Sequence, residues 1–168
     1  MKVGVSGHQD RDGADWKWTV DEIDTYIRKL SQSDSAYSSL AAGADQIFAE
    51  RAIDRGLTHT AVIPSSGYER TFEESVDRER FDRLLSRSKV VRLPEDVADP
   101  KAFLAAGRWI VDQVDELLAI WDEKPAAGIG GTGEVVSYAM SLGLPVFVIN
   151  PINQSQGYLR STPDEHHG

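Results

Sequence analysis

With 168 residues, 40% hydrophobic and 27% charged, the chain suits a single domain around one sizeable core, because such cores usually run to roughly 100–200 residues. No apolar run approaches the about 18 residues of a membrane span, and the opening Lys2-Val3-Gly4-Val5 lacks a secretory pattern, so neither a membrane partner nor secretion is expected. The formal charge of −9 opposes a nucleic-acid polymer as a partner, while the absence of cysteine excludes disulfides, thiolate catalysis and Cys-based zinc sites and permits a cytoplasmic location.

Apolar runs bounded by turn residues alternate with amphipathic stretches, as β-α-β units require. A first strand is expected at residues 3–6. Val20, Ile23, Ile27 and Leu30 then recur at spacings of three and four, giving the first helix one apolar face. A second strand is expected at 38–41 and a helix over 44–55, stopped at Gly56 by the left-handed conformation that glycine adopts freely. Residues 60–63 read as the third strand. From 69 to 87, Phe72, Val76, Phe81, Leu84 and Leu85 lie among alternating acids and bases, which predicts one long solvated helix crossed by i,i+4 ion pairs.

Residues 89–93 read as the fourth strand, and Asp99-Pro100 opens a fourth helix with proline in its first turn. A fifth strand at 116–121, a fifth helix from Thr132 to Gly143 and a sixth strand at 145–149 complete the pattern. The expected architecture is α/β, a three-layer Rossmann-like fold with a mostly parallel sheet of about six strands flanked by helices, in a nucleotide-binding domain spanning 1–151. The stretch 152–168 is polar and lacks periodicity, so it reads as a loose tail.

In open parallel sheets ligands bind beyond the carboxyl ends of the strands. The segments there are rich in glycine and small polar residues: Ser6-Gly7-His8-Gln9-Asp10-Arg11, Ala42-Gly43-Ala44-Asp45, Pro64-Ser65-Ser66-Gly67-Tyr68, and the run from Asp122 to Glu134. Its core, Gly128-Ile129-Gly130-Gly131-Thr132-Gly133-Glu134, follows a strand and opens a helix. Glycines let backbone approach a phosphate, the helix start offers unpaired N–H donors, and the Thr132 hydroxyl adds another, so the run predicts an anion site. It is neither a Walker loop nor a dinucleotide fingerprint after the first strand; a flexible glycine loop is the plain alternative.

Gly7 permits a tight turn, and Arg11 either meets a phosphate or pairs with Asp10 and Asp12. His8 has either a ligand role or a structural one. Asp45 either caps the second helix or accepts from a ribose hydroxyl; Tyr68 either stacks on a base or packs. Asp122 and Glu134 flank the glycine run and are the candidate catalytic carboxylates for glycosidic hydrolysis, although Glu134 also suits a helix dipole. No cofactor or metal is expected, since His59 is isolated and His166-His167 lies in the tail. Trp16, Trp18, Trp109 and the third helix offer surfaces for homo-oligomerisation.

Three blocks, Val3-Gly4-Val5-Ser6-Gly7-His8, Leu40-Ala41-Ala42-Gly43-Ala44-Asp45, and Leu118-Ala119-Ile120-Trp121-Asp122 followed by Gly130-Gly131-Thr132, resemble the SLOG superfamily over nearly the whole chain. Its members are Rossmann-like nucleotide binders that include the Lonely Guy phosphoribohydrolases, and the chain looks closest to a bacterial branch. The resemblance implies a small nucleotide-derived ligand held near Ser6, Gly7, His8, Arg11, Gly43, Ala44, Asp45, Gly130, Gly131, Thr132 and Gly133, in a ligand sensor of bacterial conflict or signalling systems. The alternative it implies is an N-glycosidase cleaving a nucleoside monophosphate. Two departures bear on that activity: Val135 stands where the phosphoribohydrolases carry a glutamate, with Glu134 one residue early, and only Arg70, Arg78 and Arg80 fall where they carry a Met-His-x-Arg-Lys block.

Overall fold

A computed structural model describes residues 1–72, 75–125 and 131–160. The first strand, β1 (Lys2–Gly7), leads through α1 (Trp16–Arg28) to β2 (Ser35–Ser38), then through α2 (Ala44–Asp54) to β3 (Thr58–Ser65). A 3-10 turn (Tyr68–Thr71) and α3 (Val76–Ser86) precede β4 (Lys89–Glu95). The chain then runs through α4 (Pro100–Gln113), β5 (Glu116–Ile120), α5 (Thr132–Ser141), β6 (Val146–Asn150) and β7 (Ser155–Tyr158). The sheet has the order β4-β3-β2-β1-β5-β6-β7, with β1 to β6 parallel and β7 antiparallel to β6. This is the expected Rossmann-like α/β architecture with one strand more.

Period-two alternation distributes the core over both faces of the sheet. Leu118, Ile120, Phe147 and Ile149 pack with Ile23, Ile27 and Phe48 on the side of α1 and α2. Their neighbours Leu117, Ala119, Val146 and Val148 pack with Val111, Val135 and Ala139 of α4 and α5 on the other. Strands covered on both sides are apolar at every position, as β5 and β6 nearly are. Trp16 and Trp18 lean on the first of these clusters and Trp109 on a third beneath α4. Among the described residues no helix is long and apolar enough to cross a membrane.

Local chemistry explains most boundaries. Asp99 caps α4 by accepting the Ala102 amide at 2.9 Å, with Pro100 in the first turn. Three expectations need correction. The second strand lies at Ser35–Ser38, earlier than expected, because Leu40 turns the chain with φ of 55° and its carbonyl is taken by the Gln46 side chain.

The long third helix divides into the 3-10 turn and α3. Its arginines also reach across to α2: Arg83 bonds Glu50 at 3.1 Å and Arg87 bonds Asp54 at 3.3 Å, beside one i,i+4 pair among the described residues, Arg78 with Asp82. Finally, the stretch read as tail contains β7. Tyr158 donates to Glu116 Oε1 at 2.9 Å, Tyr26 donates to Oε2, and both rings pack on Phe147. A buried carboxylate satisfied by two hydroxyls fixes β7 against the sheet, a contact that no local pattern announces.

Candidate functional site

The strand order places β1 at the reversal of connectivity. From β1 the chain steps outward to β4, and α4 then carries it back to β5 on the far side of β1. Crossovers leave a parallel sheet in opposite directions at such a point, so a crevice opens beyond the carboxyl ends of its strands. Here a cavity of about 600 Å³ lies at that edge, within the range of small-molecule sites. Ser6 and Gly7 from β1, Ser39 and Asp45 after β2, and Thr132 at the start of α5 all line it. Tyr68, Phe72 and Phe103 form an aromatic wall, their rings packed edge-on around Tyr68 at centroid distances of 5.4 and 5.8 Å.

Gly7 is required by crowding. A β-carbon there would stand 2.5 Å from Ala44 Cβ and 2.8 Å from Ile120 Cβ, closer than carbons can approach. The glycine thus lets the start of α2 seat directly on the end of β1. The Ala44 amide then donates to the His8 carbonyl at 3.3 Å, taking one of the unpaired donors of the α2 N-terminus. Gly43 turns the chain at φ of 84°, with its α-carbon packed against the Gln9 backbone.

His8, Arg11 and Asp122 form a second cluster at the ends of β1 and β5, outside the cavity lining. The Asp122 amide lies 3.2 Å from His8 Nε2, and Asp122 Oδ1 lies 3.4 Å from the same nitrogen. Burial first, and then the Arg11 charge, push the His8 pKa below the ordinary value, against the pull of Asp122. Asp122 accepts from Arg11 Nη2 at 2.5 Å and from the Lys124 amide at 3.1 Å. Burial raises its pKa, but Lys124, Arg11 and His8 together bring it below the usual carboxylate value.

Glu134 and Gly133 lie elsewhere. They line a shallow depression on the outer side of α4 and α5, with Arg108, Trp121 and Tyr138. Thr132 is buried on the cavity side, and Gly131 supplies the carbonyl accepting the Glu134 amide at 3.1 Å. Gly130 lies outside the described residues. The fold therefore brings Ser6, Gly7, Asp45 and Thr132 to one cavity and His8, Arg11 and Asp122 to an adjoining polar knot.

Among the described residues, the carboxylates that line the cavity are Asp45 and Asp77 of α3. Asp45 Oδ2 accepts the Ser39 and Ala41 amides at 3.1 and 3.4 Å. Burial nevertheless pushes its pKa up to about 7, against those two donors. Sequence reading did not single out Ser39, Asp77, Phe72, Phe103 or Gln46. Asp77 is one acid among many in a charged helix, and the role of Gln46, whose Nε2 donates to the Leu40 and Asp77 carbonyls at 3.2 and 3.0 Å, exists only once α3 is packed.

His59 is no isolated side chain: Ser38 Oγ lies 2.8 Å from Nε2 and Ser88 Oγ 2.7 Å from Nδ1. Ser88 donates to the Leu84 carbonyl and so accepts from Nδ1–H, which leaves Nε2 to accept from Ser38. The ring is neutral, and burial pushes its pKa down to about 4. It fastens β2 and β3 to the end of α3 behind the cavity. Among the described residues no group of three or more metal-ligating side chains occurs.

No protein-family model and no curated protein sequence matches this chain. Solved structures share its fold. DNA processing protein A from Helicobacter pylori, studied for its single-stranded DNA binding mode, superposes with a TM-score of 0.64 at 18% identity, over 88% of this chain and 64% of that one. DNA processing protein A from Streptococcus pneumoniae gives 0.67 at 20% identity, over 97% and 52%. TM1055, a structural-genomics target, gives 0.55 at 16% identity, over 86% and 71%. The chain thus spans between half and two thirds of the length of the two DNA processing proteins.

These likenesses show a shared fold, and they correct one expectation. Net charge was read as excluding a nucleic-acid polymer, yet the same fold carries single-stranded DNA binding in the H. pylori protein. The total of −9 sums the whole surface, whereas a strand of DNA meets only one face, so that total cannot exclude such a partner.

Proposed function

We propose that the cavity at the carboxyl edge of β1 to β3 binds a small nucleotide or nucleotide-derived ligand, and that the chain acts as a binder or sensor of it within the bacterial SLOG branch its motifs resemble. One observation carries this reading: Ser6-Gly7 and Thr132, from two glycine-bearing turns 125 residues apart in sequence (132 minus 7), line the same cavity at the point where the strand order reverses. The start of α5 supplies amides and a hydroxyl suited to a phosphate, and Tyr68, Phe72 and Phe103 supply an apolar wall for a base. The fold shared with DNA processing protein A and TM1055 supports a place in the SLOG superfamily.

Binding is preferred to N-glycosidic hydrolysis because Asp122 is held by Arg11 and Glu134 faces the outer depression, so neither lines the cavity. The test is native mass spectrometry of the purified protein, followed by calorimetry with nucleoside mono- and diphosphates, dinucleotides and a single-stranded oligonucleotide. A co-purifying nucleotide, or heat with one mononucleotide class, is expected. No heat with any nucleotide at millimolar concentration ends the reading, and heat with the oligonucleotide alone replaces it with polymer binding.

A further inference from the structure

The two oxygens of Asp45 have different surroundings. Oδ2 accepts two backbone amides, whereas Oδ1 has no hydrogen-bond partner among the described residues. The residue is only 6% exposed, and it lines the cavity. Oδ1 is not sealed off from that cavity, so a donor carried by a ligand can reach it, and an ionised carboxylate oxygen there can only accept. Asp77 lines the same cavity, and no Lys or Arg does among the described residues.

The surrounding loop is tightly built. Leu40 sits at a φ of 55°, an uncommon conformation for a non-glycine residue, and is held there by the Ser38 hydroxyl on its amide and by Gln46 on its carbonyl. Gln46 also holds the Asp77 carbonyl, which fixes the start of α3 against this loop. Asp45 is thus presented to the cavity by a framework that leaves it little freedom to turn away.

Resting on the nucleotide reading above, we propose that Asp45 Oδ1 reads a hydrogen-bond donor on the bound ligand, so that an uncharged, donor-bearing part of a nucleotide, a sugar hydroxyl or a base amino group, sits against Asp45 and Asp77. Two carboxylates without a cation repel a phosphate, so the anionic part of the ligand is left to Thr132 and the start of α5.

The test is a ligand-deletion cycle at pH 8, where Asp45 is ionised. The tightest binder among AMP, GMP, CMP and UMP is compared by calorimetry with its 2′-deoxy, 3′-deoxy and, where the base carries an amino group, deaminated analogues, on wild type and Asp45→Asn. Asparagine keeps an acceptor for the Ser39 and Ala41 amides and offers the ligand an NH2 group. At least one deletion should weaken wild-type binding tenfold or more and change binding to D45N less than twofold; the analogue concerned identifies the donor as sugar or base. Equal penalties in both proteins overturn the role of Asp45 while the nucleotide reading stands. Absence of binding by wild type overturns both.

Thermal melting establishes that D45N is folded. Should it not fold, the 13C carboxyl resonance of Asp45 in wild type supplies the answer. It should move on saturation with the parent nucleotide and less with the analogue lacking the donor. An unmoved resonance overturns the proposal.

Discussion

Arg11 donates from Nη2 to Asp122 Oδ2 across 2.5 Å, so the cation and the carboxylate that the glycine-loop reading offered to a ligand hold each other at the junction of β1 and β5. The Asp122 side chain is nearly buried while that of Arg11 is 38% exposed, and solvent screens the pair from one side. Arg11→Ala should lower stability by about 1–2 kcal/mol, chiefly by leaving Asp122 without its cation. Urea denaturation measures this. Because Arg11 lies outside the cavity lining, nucleotide affinity should fall less than threefold; a loss of tenfold or more would return Arg11 to the ligand.

Two buried groups make stability depend on pH in opposite senses. His59 has a folded pKa of about 4 against 6.5 ordinarily, so the unfolded chain takes up the proton first. The stability it contributes is complete above 6.5 and is lost as pH falls toward 4. Asp45 has a folded pKa of about 7 against 3.8, so the folded chain holds the proton, and that stability is complete below 3.8 and is lost as pH rises through 7. Between pH 7.5 and 5 the two largely cancel in wild type, at about 2 kcal/mol each. His59→Gln should gain stability relative to wild type on acidification, and Asp45→Asn should lose it. His8 titrates in all three proteins and drops out of the comparison. Urea midpoints at the two pH values decide it; parallel shifts in both variants would contradict the assigned directions.

The alternation of apolar runs with amphipathic stretches was enough to read the parallel sheet, because buried strands such as Leu117 to Ile120 are apolar at every position and local in sequence. Caps were legible for the same reason: Asp99-Pro100 declares a helix start within two residues. What was not legible depends on distant partners. The displacement of β2 follows from the Leu40 turn held by Gln46, and β7 depends on Glu116, 42 residues before Tyr158. At the site, the turns carrying Gly7 and Thr132 could be read as meeting at one edge of the sheet, as they do, but the direction in which Asp45, Asp122 and Glu134 face is set by packing. A carboxylate beside a glycine run looks the same in sequence whether it faces a cavity, an arginine or solvent.

Gly43→Ala should be among the more damaging single substitutions at the edge of the site. The position has φ of 84°, and an added β-carbon would overlap the carbonyl oxygen of Gln9, which is backbone and cannot swing aside. Left-handed strain and overpacking together should cost about 2 kcal/mol or more. Thermal melting checks this. Gly143→Ala serves as the comparison, since Gly143 is also left-handed, at φ of 71°, but has open space around its β position; it should cost about 1 kcal/mol. Equal losses at the two positions would mean that backbone strain alone matters and that the Gln9 contact yields.

Thr132→Val separates the anion site from the rest of the cavity. Thr132 is the first residue of α5, is buried and lines the cavity, and valine matches its shape while lacking the hydroxyl. A hydrogen bond to a charged group contributes about 1.5–3 kcal/mol, so a nucleoside monophosphate should bind the variant about tenfold or more weakly. The corresponding nucleoside has no phosphate for the hydroxyl to meet, so its affinity should change less than twofold. Stability should fall only slightly, since no protein acceptor for the Thr132 hydroxyl is seen among the described residues. Equal loss of both ligands would place the hydroxyl against the sugar or base, and no loss of either would remove the start of α5 from the site.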